Sequence, residues 1–204
     1  MRDPENIKAI AKTEPDYIGL IFYDKSPRYV GKLDPKVLDT LPEKTKRVGV
    51  FVNAGVQYIR KQAERYTLDM IQLHGEETPD FCEALRQEYT VIKAFGIENP
   101  HDLDYALQYE GLCDYFLFDA KTPKRGGAGV QFDHSVLKKY TGSTPYFLSG
   151  GIAPDDATTV SVMRDNRCVA IDINSRFEMV PGLKDAEAVG QFINEIKTNK
   201  NQTI

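Results

Sequence analysis

The sequence has no tryptophan, three cysteines and three histidines, and nowhere does it string together the ~18 apolar residues that a membrane-spanning helix requires. Each shortage removes a class of protein. Three cysteines with no C-x-x-C spacing make no disulfide framework, and with so few histidines they make no structural zinc site, so no metal is expected. Cys82 falls in a predicted helix and Cys113 and Cys168 each precede a predicted strand, where a buried, inert thiol is expected. Met1-Arg2-Asp3-Pro4-Glu5 has neither the basic nor the apolar segment of a signal peptide, so the expected location is the cytoplasm, with no membrane partner. Positive charge is also short. A formal net charge of −4 and a pI near 5.5 leave no concentrated basic surface for nucleic acid, while a small anion can still be held by backbone N–H groups and one or two local cations.

What is present is a soluble composition, 41% apolar, over 204 residues, enough for a single domain spanning 1–204 with a full core. Asp3-Pro4-Glu5 opens a helix, with an acidic cap and proline at the first helical position. Short apolar strands then recur every 20 to 30 residues or so: Tyr17 to Tyr23, Arg47 to Val52, Met70 to Leu73, Val91 to Phe95, Tyr115 to Phe118, Tyr146 to Leu148 and Val169 to Ile173. Helices are predicted after Asp34-Pro35, over Val56 to Arg65, Pro79 to Gln87, Pro100 to Gln108 and Asp133 to Lys139, from Pro154 to near Arg164, and from Asp185 on. Strand-then-helix repetition is the rhythm of an all-parallel sheet, either open and doubly wound or closed as a (β/α)₈ TIM barrel.

The polar residues choose the barrel. Arg28, Asn53, His74, Asp119, Ser149 and Asn174 all fall at or just after the C-terminal ends of different strands, where a barrel assembles its site, and no G-x-G-x-x-G follows a strand. Seven strands are visible and a barrel needs eight. The only place for the eighth is upstream of Asp3, so the chain is expected to form the barrel with its first strand missing.

Phe118-Asp119-Ala120 leads into Thr122-Pro123-Lys124-Arg125-Gly126-Gly127-Ala128-Gly129, a carboxylate at the mouth of a basic, glycine-rich loop. Asp119 is the first candidate for chemistry; the alternatives are a helix cap or a pair with Lys121. Ser149-Gly150-Gly151 and Asn174-Ser175 occupy the last two strand ends, where this fold commonly binds phosphate, so a phosphorylated small molecule is the expected partner. Arg28 is suited to a second anionic group by bidentate hydrogen bonding, or else to pairing with Asp24 on the surface. His74 reads either as a hydrogen-bonded structural residue or as part of the site. Oligomeric state is not legible from one sequence.

Gly19-Leu20-Ile21-Phe22 with Ser26-Pro27-Arg28-Tyr29-Val30, Val48-Gly49-Val50-Phe51-Val52-Asn53, Ile71-Gln72-Leu73-His74-Gly75, Phe118-Asp119-Ala120 with Gly126-Gly127-Ala128-Gly129, Leu148-Ser149-Gly150-Gly151 and Pro181-Gly182-Leu183-Lys184-Asp185 together resemble the phosphoribosylanthranilate isomerase family of tryptophan biosynthesis. The resemblance covers nearly the whole chain. It implies a (β/α)₈ barrel that converts an aminoaldose to an aminoketose by Amadori rearrangement with no metal or organic cofactor. It implies Asp119 as the general acid that opens the ribose ring, Arg28 as the residue engaging the anthranilate moiety, Gly150, Gly151, Asn174 and Ser175 at the phosphate, and His74 close to the reacting centre. The general base it implies is a cysteine in a Cys-Gly pair ending the first strand, and Met1 stands just after the position of that glycine. Little or no turnover is therefore expected of this chain. An isomerase of another phosphosugar and a phosphosugar-binding barrel without chemistry are the competing readings.

Overall fold

The computed structural model describes residues 1–121, 134–163 and 165–202. The glycine-rich segment 122–129 singled out above lies outside the described residues. Helix α1 (Pro4–Ala11) begins as its sequence dictates: the Asp3 carboxylate accepts the Asn6 N–H at 2.8 Å, and Pro4 occupies a position whose N–H would have gone unused. The strands β1 (Tyr17–Ile21), β2 (Lys46–Phe51), β3 (Met70–Leu73), β4 (Thr90–Ile97), β5 (Tyr115–Ala120), β6 (Tyr146–Leu148) and β7 (Cys168–Ile171) form one parallel sheet in sequence order. Helices α2 (Val56–Tyr66), α3 (Pro79–Arg86), α4 (Pro100–Leu107) and α5 (Ala157–Met163) return the chain between strands.

Alternation along the strands sorts the side chains into two layers. Val48, Met70, Ile92, Ala94, Leu117 and Phe147 pack together inside the curl, while Ile71, Phe95, Phe116, Phe118 and Leu148 face the helices. The curl is tight enough that Tyr17 of β1 meets Phe147 of β6 edge-on, with ring centroids 5.0 Å apart. In the outer layer Phe118 stacks against Tyr140 and Tyr146 at 5.2 and 5.0 Å and is wholly buried. Such aromatic packing on a strand buried from both sides supplies much of the free energy that holds the barrel wall.

Among the described residues the sheet does not close: β1 and β7 each have a single strand partner, and the seam between them opens into a cavity of about 530 Å³. Its walls there are Ile18 and Gly19 of β1, Val169 and Ile171 of β7, and Val189, Phe192, Ile193 and Ile196 of the last helix, α6 (Ala186–Gln202). The Met1 amino group reaches into this seam and donates to the Gly19 carbonyl at 2.8 Å.

The remaining differences from the sequence reading are local. Residues Pro35–Thr40 and His134–Lys139 are 3₁₀ rather than α-helical, each too short to bring an α-helix past its costly first turn, and Pro154–Asp156 is a 3₁₀ turn leading into α5. β7 stops at Ile171, short of the expected Ile173, and β4 runs through Gly96 to Ile97. Past Asn174 a short 3₁₀ turn (Ser175–Phe177) leads into an antiparallel ribbon, β8 (Glu178–Val180) and β9 (Leu183–Lys184), that strand periodicity does not announce, because Met179 and Val180 are exposed apolar residues with no alternation.

Phe118→Ala is expected to lower stability by about 3–5 kcal/mol, through lost transfer energy and the cavity left among Phe116, Tyr140 and Tyr146, as measured by urea unfolding.

Candidate active site at the strand ends

Period-two alternation decides which polar side chains enter the mouth. Met70 and Leu117 face inward, so Gln72 and His74, two and four residues after Met70, and Asp119, two after Leu117, face inward as well. The same counting from Phe147 gives Ser149, and from Ala170 gives Asp172. All five line one cavity with Arg28, Gly151, Asn174, Ser175 and Lys184.

The acidic side of the mouth is a hydrogen-bonded arc. The Gln72 amide nitrogen lies 2.8 Å from His74 Nδ1, and His74 Nε2 lies 3.7 Å from Asp119 Oδ2. Asp119 Oδ1 accepts the Ala120 N–H at 2.8 Å. The Ser149 hydroxyl stands between two carboxylates, donating to Asp172 Oδ2 at 3.2 Å and within hydrogen-bonding reach of Asp119. Burial pushes the Asp119 carboxyl above the usual carboxylate range, with the Ala120 N–H and Ser149 pulling back against it. Asp172 is pushed up by burial first and by the neighbouring Asp119 charge second. Neither alternative for Asp119 holds: it caps no described helix, and Lys121 pairs instead with Asp102 at 2.8 Å.

The basic side is equally ordered. Arg28 is buried and forks onto Glu178, with Nε 3.0 and 2.9 Å from the two carboxylate oxygens and Nη2 at 2.6 Å. Its ion-pair partner is therefore Glu178 on β8 rather than the expected alternative, Asp24. Burial alone would raise the Glu178 carboxyl, but the guanidinium of Arg28, the Lys184 charge and the Gly182 N–H outweigh it and hold that carboxyl below its ordinary range. Lys184 donates to the Asn174 carbonyl and to Asn174 Oδ1, both at 2.7 Å, and burial lowers its ammonium.

Between these sides lies a turn of the kind that exposes backbone N–H groups. Gly150 and Gly151 sit at φ of 99° and 71°, left-handed values that disfavour any side chain, and Asn174 with Ser175 begins the following 3₁₀ turn. Of the expected site residues, Arg28, His74, Asp119, Gly151, Asn174 and Ser175 line the cavity, and Gly150 precedes Gly151 in the same turn without lining it. Gln72, Asp172, Glu178 and Lys184 were not singled out from the sequence. Two carried a signal: Gln72 is a lone polar residue in an apolar strand, and Asp172 follows an apolar strand as Asp119 ends one.

The three cysteines are buried elsewhere, with burial pushing the Cys82 thiol to about 11 and that of Cys113 to about 12. Among the described residues, no three His, Cys, Asp or Glu side chains are arranged to hold a metal ion, and no helix is long and apolar enough to cross a membrane.

Comparison with known proteins finds one consistent relationship. The profile of the N-(5'phosphoribosyl)anthranilate (PRA) isomerase family matches residues 1–195. The N-(5'-phosphoribosyl)anthranilate isomerase of Parabacteroides distasonis is 43% identical over 199 residues, covering 96% of this chain and 90% of that one. A crystal structure of phosphoribosyl anthranilate isomerase from Thermotoga maritima superposes with a TM-score of 0.85 at 33% identity, covering 97% of this chain and 96% of that one. A second solved structure, of the enzyme in complex with reduced 1-(o-carboxyphenylamino)-1-deoxyribulose 5-phosphate, superposes with a TM-score of 0.82 at 30% identity, covering 97% and 95%.

A carboxylate whose folded-state pKa is raised binds a proton that the unfolded chain would release, so its contribution favours folding at low pH and is lost as pH rises from the unfolded value through the folded one. Asp172→Asn is accordingly expected to raise the urea midpoint at pH 7, with the gain shrinking as the pH is lowered toward about 4, where the unfolded carboxyl also takes up its proton.

Proposed function

The chain belongs to the N-(5'-phosphoribosyl)anthranilate isomerase family, and from that premise we propose how its mouth divides the work of an Amadori rearrangement. It is an isomerase of tryptophan biosynthesis, converting an aminoaldose phosphate to the aminoketose. Asp119 is the general acid. Its carboxyl gives a proton to the ribose ring oxygen as the bond from that oxygen to C1 breaks, and the anthranilate nitrogen lone pair forms the Schiff base. Loss of the C2 proton then gives the enolamine, which tautomerises to the ketone. The observation that carries this reading is a carboxyl raised by burial, held between His74 and Ser149, and facing the same cavity as the Gly151, Asn174 and Ser175 turn.

Gly150, Gly151, Asn174 and Ser175 hold the phosphate through backbone N–H groups, in a turn whose two glycines take left-handed φ values. Arg28 engages the anthranilate carboxylate, and Glu178 fixes the guanidinium through Nε and Nη2. The ligand is then a small phosphorylated molecule and the compartment the cytoplasm.

The C2 proton needs an acceptor, and the cysteines at hand are buried away from the mouth. The seam between β1 and β7 opens into the same cavity, which makes it the place for a strand ending in Cys-Gly, whose thiolate is the base.

Adding such a strand before Met1 is expected to raise turnover of phosphoribosylanthranilate over that of the 204-residue chain by about 10²–10⁴, the usual worth of a general base. Equal rates would remove the thiolate from the mechanism. In the faster of the two proteins, Asp119→Asn is expected to cost about 10²–10⁴ in kcat while leaving the affinity for the reduced product analogue within a few fold, by calorimetry. Unchanged turnover would point instead to another acid, and turnover by neither protein to a binding barrel.

A further inference from the structure

Beneath the rim, on the helix side of the barrel wall, lies a buried ion pair that the chemistry above does not use. Lys93 and Glu77 have side chains only 3% exposed, and Lys93 Nζ lies 3.3 Å from Glu77 Oε2. Lys93 stands between Val91 and Phe95 on the outward face of β4, its ammonium over the rings of Phe95 and Tyr109 at 5.3 and 5.9 Å. A buried pair of this kind is a weak source of stability, since well-packed apolar residues of the same volume commonly do as well or better. Its hydrogen bonds say what else it does.

Lys93 places its protons on the carbonyls of Leu73, Gly75 and Ala94, at 3.3, 2.9 and 3.1 Å. Glu77 accepts the Gly75 N–H at 2.9 Å and the Asn53 N–H at 2.7 Å. Together with the bond from the His74 N–H to the Phe51 carbonyl, at 2.8 Å, these contacts hold both peptide units that flank His74. Asn53 is in the left-handed region at φ 51°, and its side-chain oxygen accepts the Glu76 N–H at 2.7 Å. Gly75 packs so closely on Asn53 that a Cβ there would lie 2.7 Å from the Asn53 nitrogen. The backbone of His74 is thereby locked from the far side of the wall, and the locked backbone sets its imidazole between Gln72 and Asp119.

We propose that Glu77 and Lys93 are positioning residues for the isomerase site, a two-charge clamp that fixes the His74 backbone and so holds His74 Nε2 against the Asp119 carboxylate. The proposal rests on the reading of Asp119 as a group of the active site, but its test needs no turnover. Among the described residues, the imidazole faces the titratable groups Asp119 and Asp172, both in the mouth. In the full chain, the titration of the His74 ring is followed by long-range ¹⁵N–¹H NMR with and without Asp119→Asn. With the clamp intact, removing the carboxylate is expected to lower the His74 midpoint by roughly 0.7 pH unit or more, the effect of a unit charge about 4 Å away in water. In Glu77→Gln, which keeps the volume but offers one N–H acceptor in place of two, the same shift is expected to fall to less than half.

An undiminished shift in folded Glu77→Gln, with only the urea midpoint lowered, would make the pair structural and overturn the proposal. Should that variant fail to fold, Lys93→Arg repeats the test, because a planar guanidinium cannot cover the same three carbonyls. Should neither fold, hydrogen exchange of the Gly75 amide in the unmodified chain decides it: protection at the level of the β3 amides supports the clamp, and exchange as fast as in exposed turns overturns it. Loss of the acid role for Asp119 would show separately, as unchanged turnover in Asp119→Asn.

Discussion

An all-parallel sheet brings the C-terminal end of every strand to the same rim, and nearly everything chemical in this protein follows from that constraint. Residues far apart in sequence, from Arg28 after β1 to Asp172 after β7, become neighbours because each lies at or beyond the C-terminal end of its strand. The pleat then chooses among them. Gln72, His74, Asp119, Ser149 and Asp172 share the inward parity of the interior residues Met70, Leu117 and Phe147, whereas Lys93, one step out of phase with Ile92 and Ala94, points to the helices.

The rim carries two opposite electrostatic solutions to burial. On one side, Asp119 and Asp172 face each other through a single hydroxyl; burial raises both carboxyls above their ordinary range, and the neighbouring Asp119 charge raises Asp172 further. On the other, Glu178 is buried among Arg28, Lys184 and the Gly182 N–H, which together keep it ionised. A raised carboxyl holds its proton more readily, while one held low stays charged and orients a cation, here the Arg28 guanidinium. Both arrangements cost stability relative to apolar packing, and the aromatic layer of Phe116, Phe118, Tyr140 and Tyr146 on the outer face offsets that cost.

The seam is the complement of this architecture. Among the described residues, the outer edges of β1 and β7 and an apolar wall from α6 bound an opening into the cavity at the mouth. Parallel pairing there would complete the wall and bring one more strand end to the rim, next to Arg28 on one side and Asp172 on the other.

The sequence alone determined the strands, their parallel order and the residues at their ends, because hydrophobic period, capping residues and strand-end polarity are local signals. For that reason it located Asp119, His74 and the Ser149-Gly150-Gly151 turn at or just past strand ends. It did not reveal that Arg28 would pair with Glu178 rather than Asp24, that Ser149 would join two carboxylates, or that Lys93 and Glu77 would meet behind His74. Those pairs link residues 16 to 150 positions apart along the chain, and Glu178 rides on a ribbon with no periodic signature. Which charge stays and which is neutralised depends on burial and on the distance between groups brought together by the curl of the sheet. Only the tertiary structure sets those two quantities.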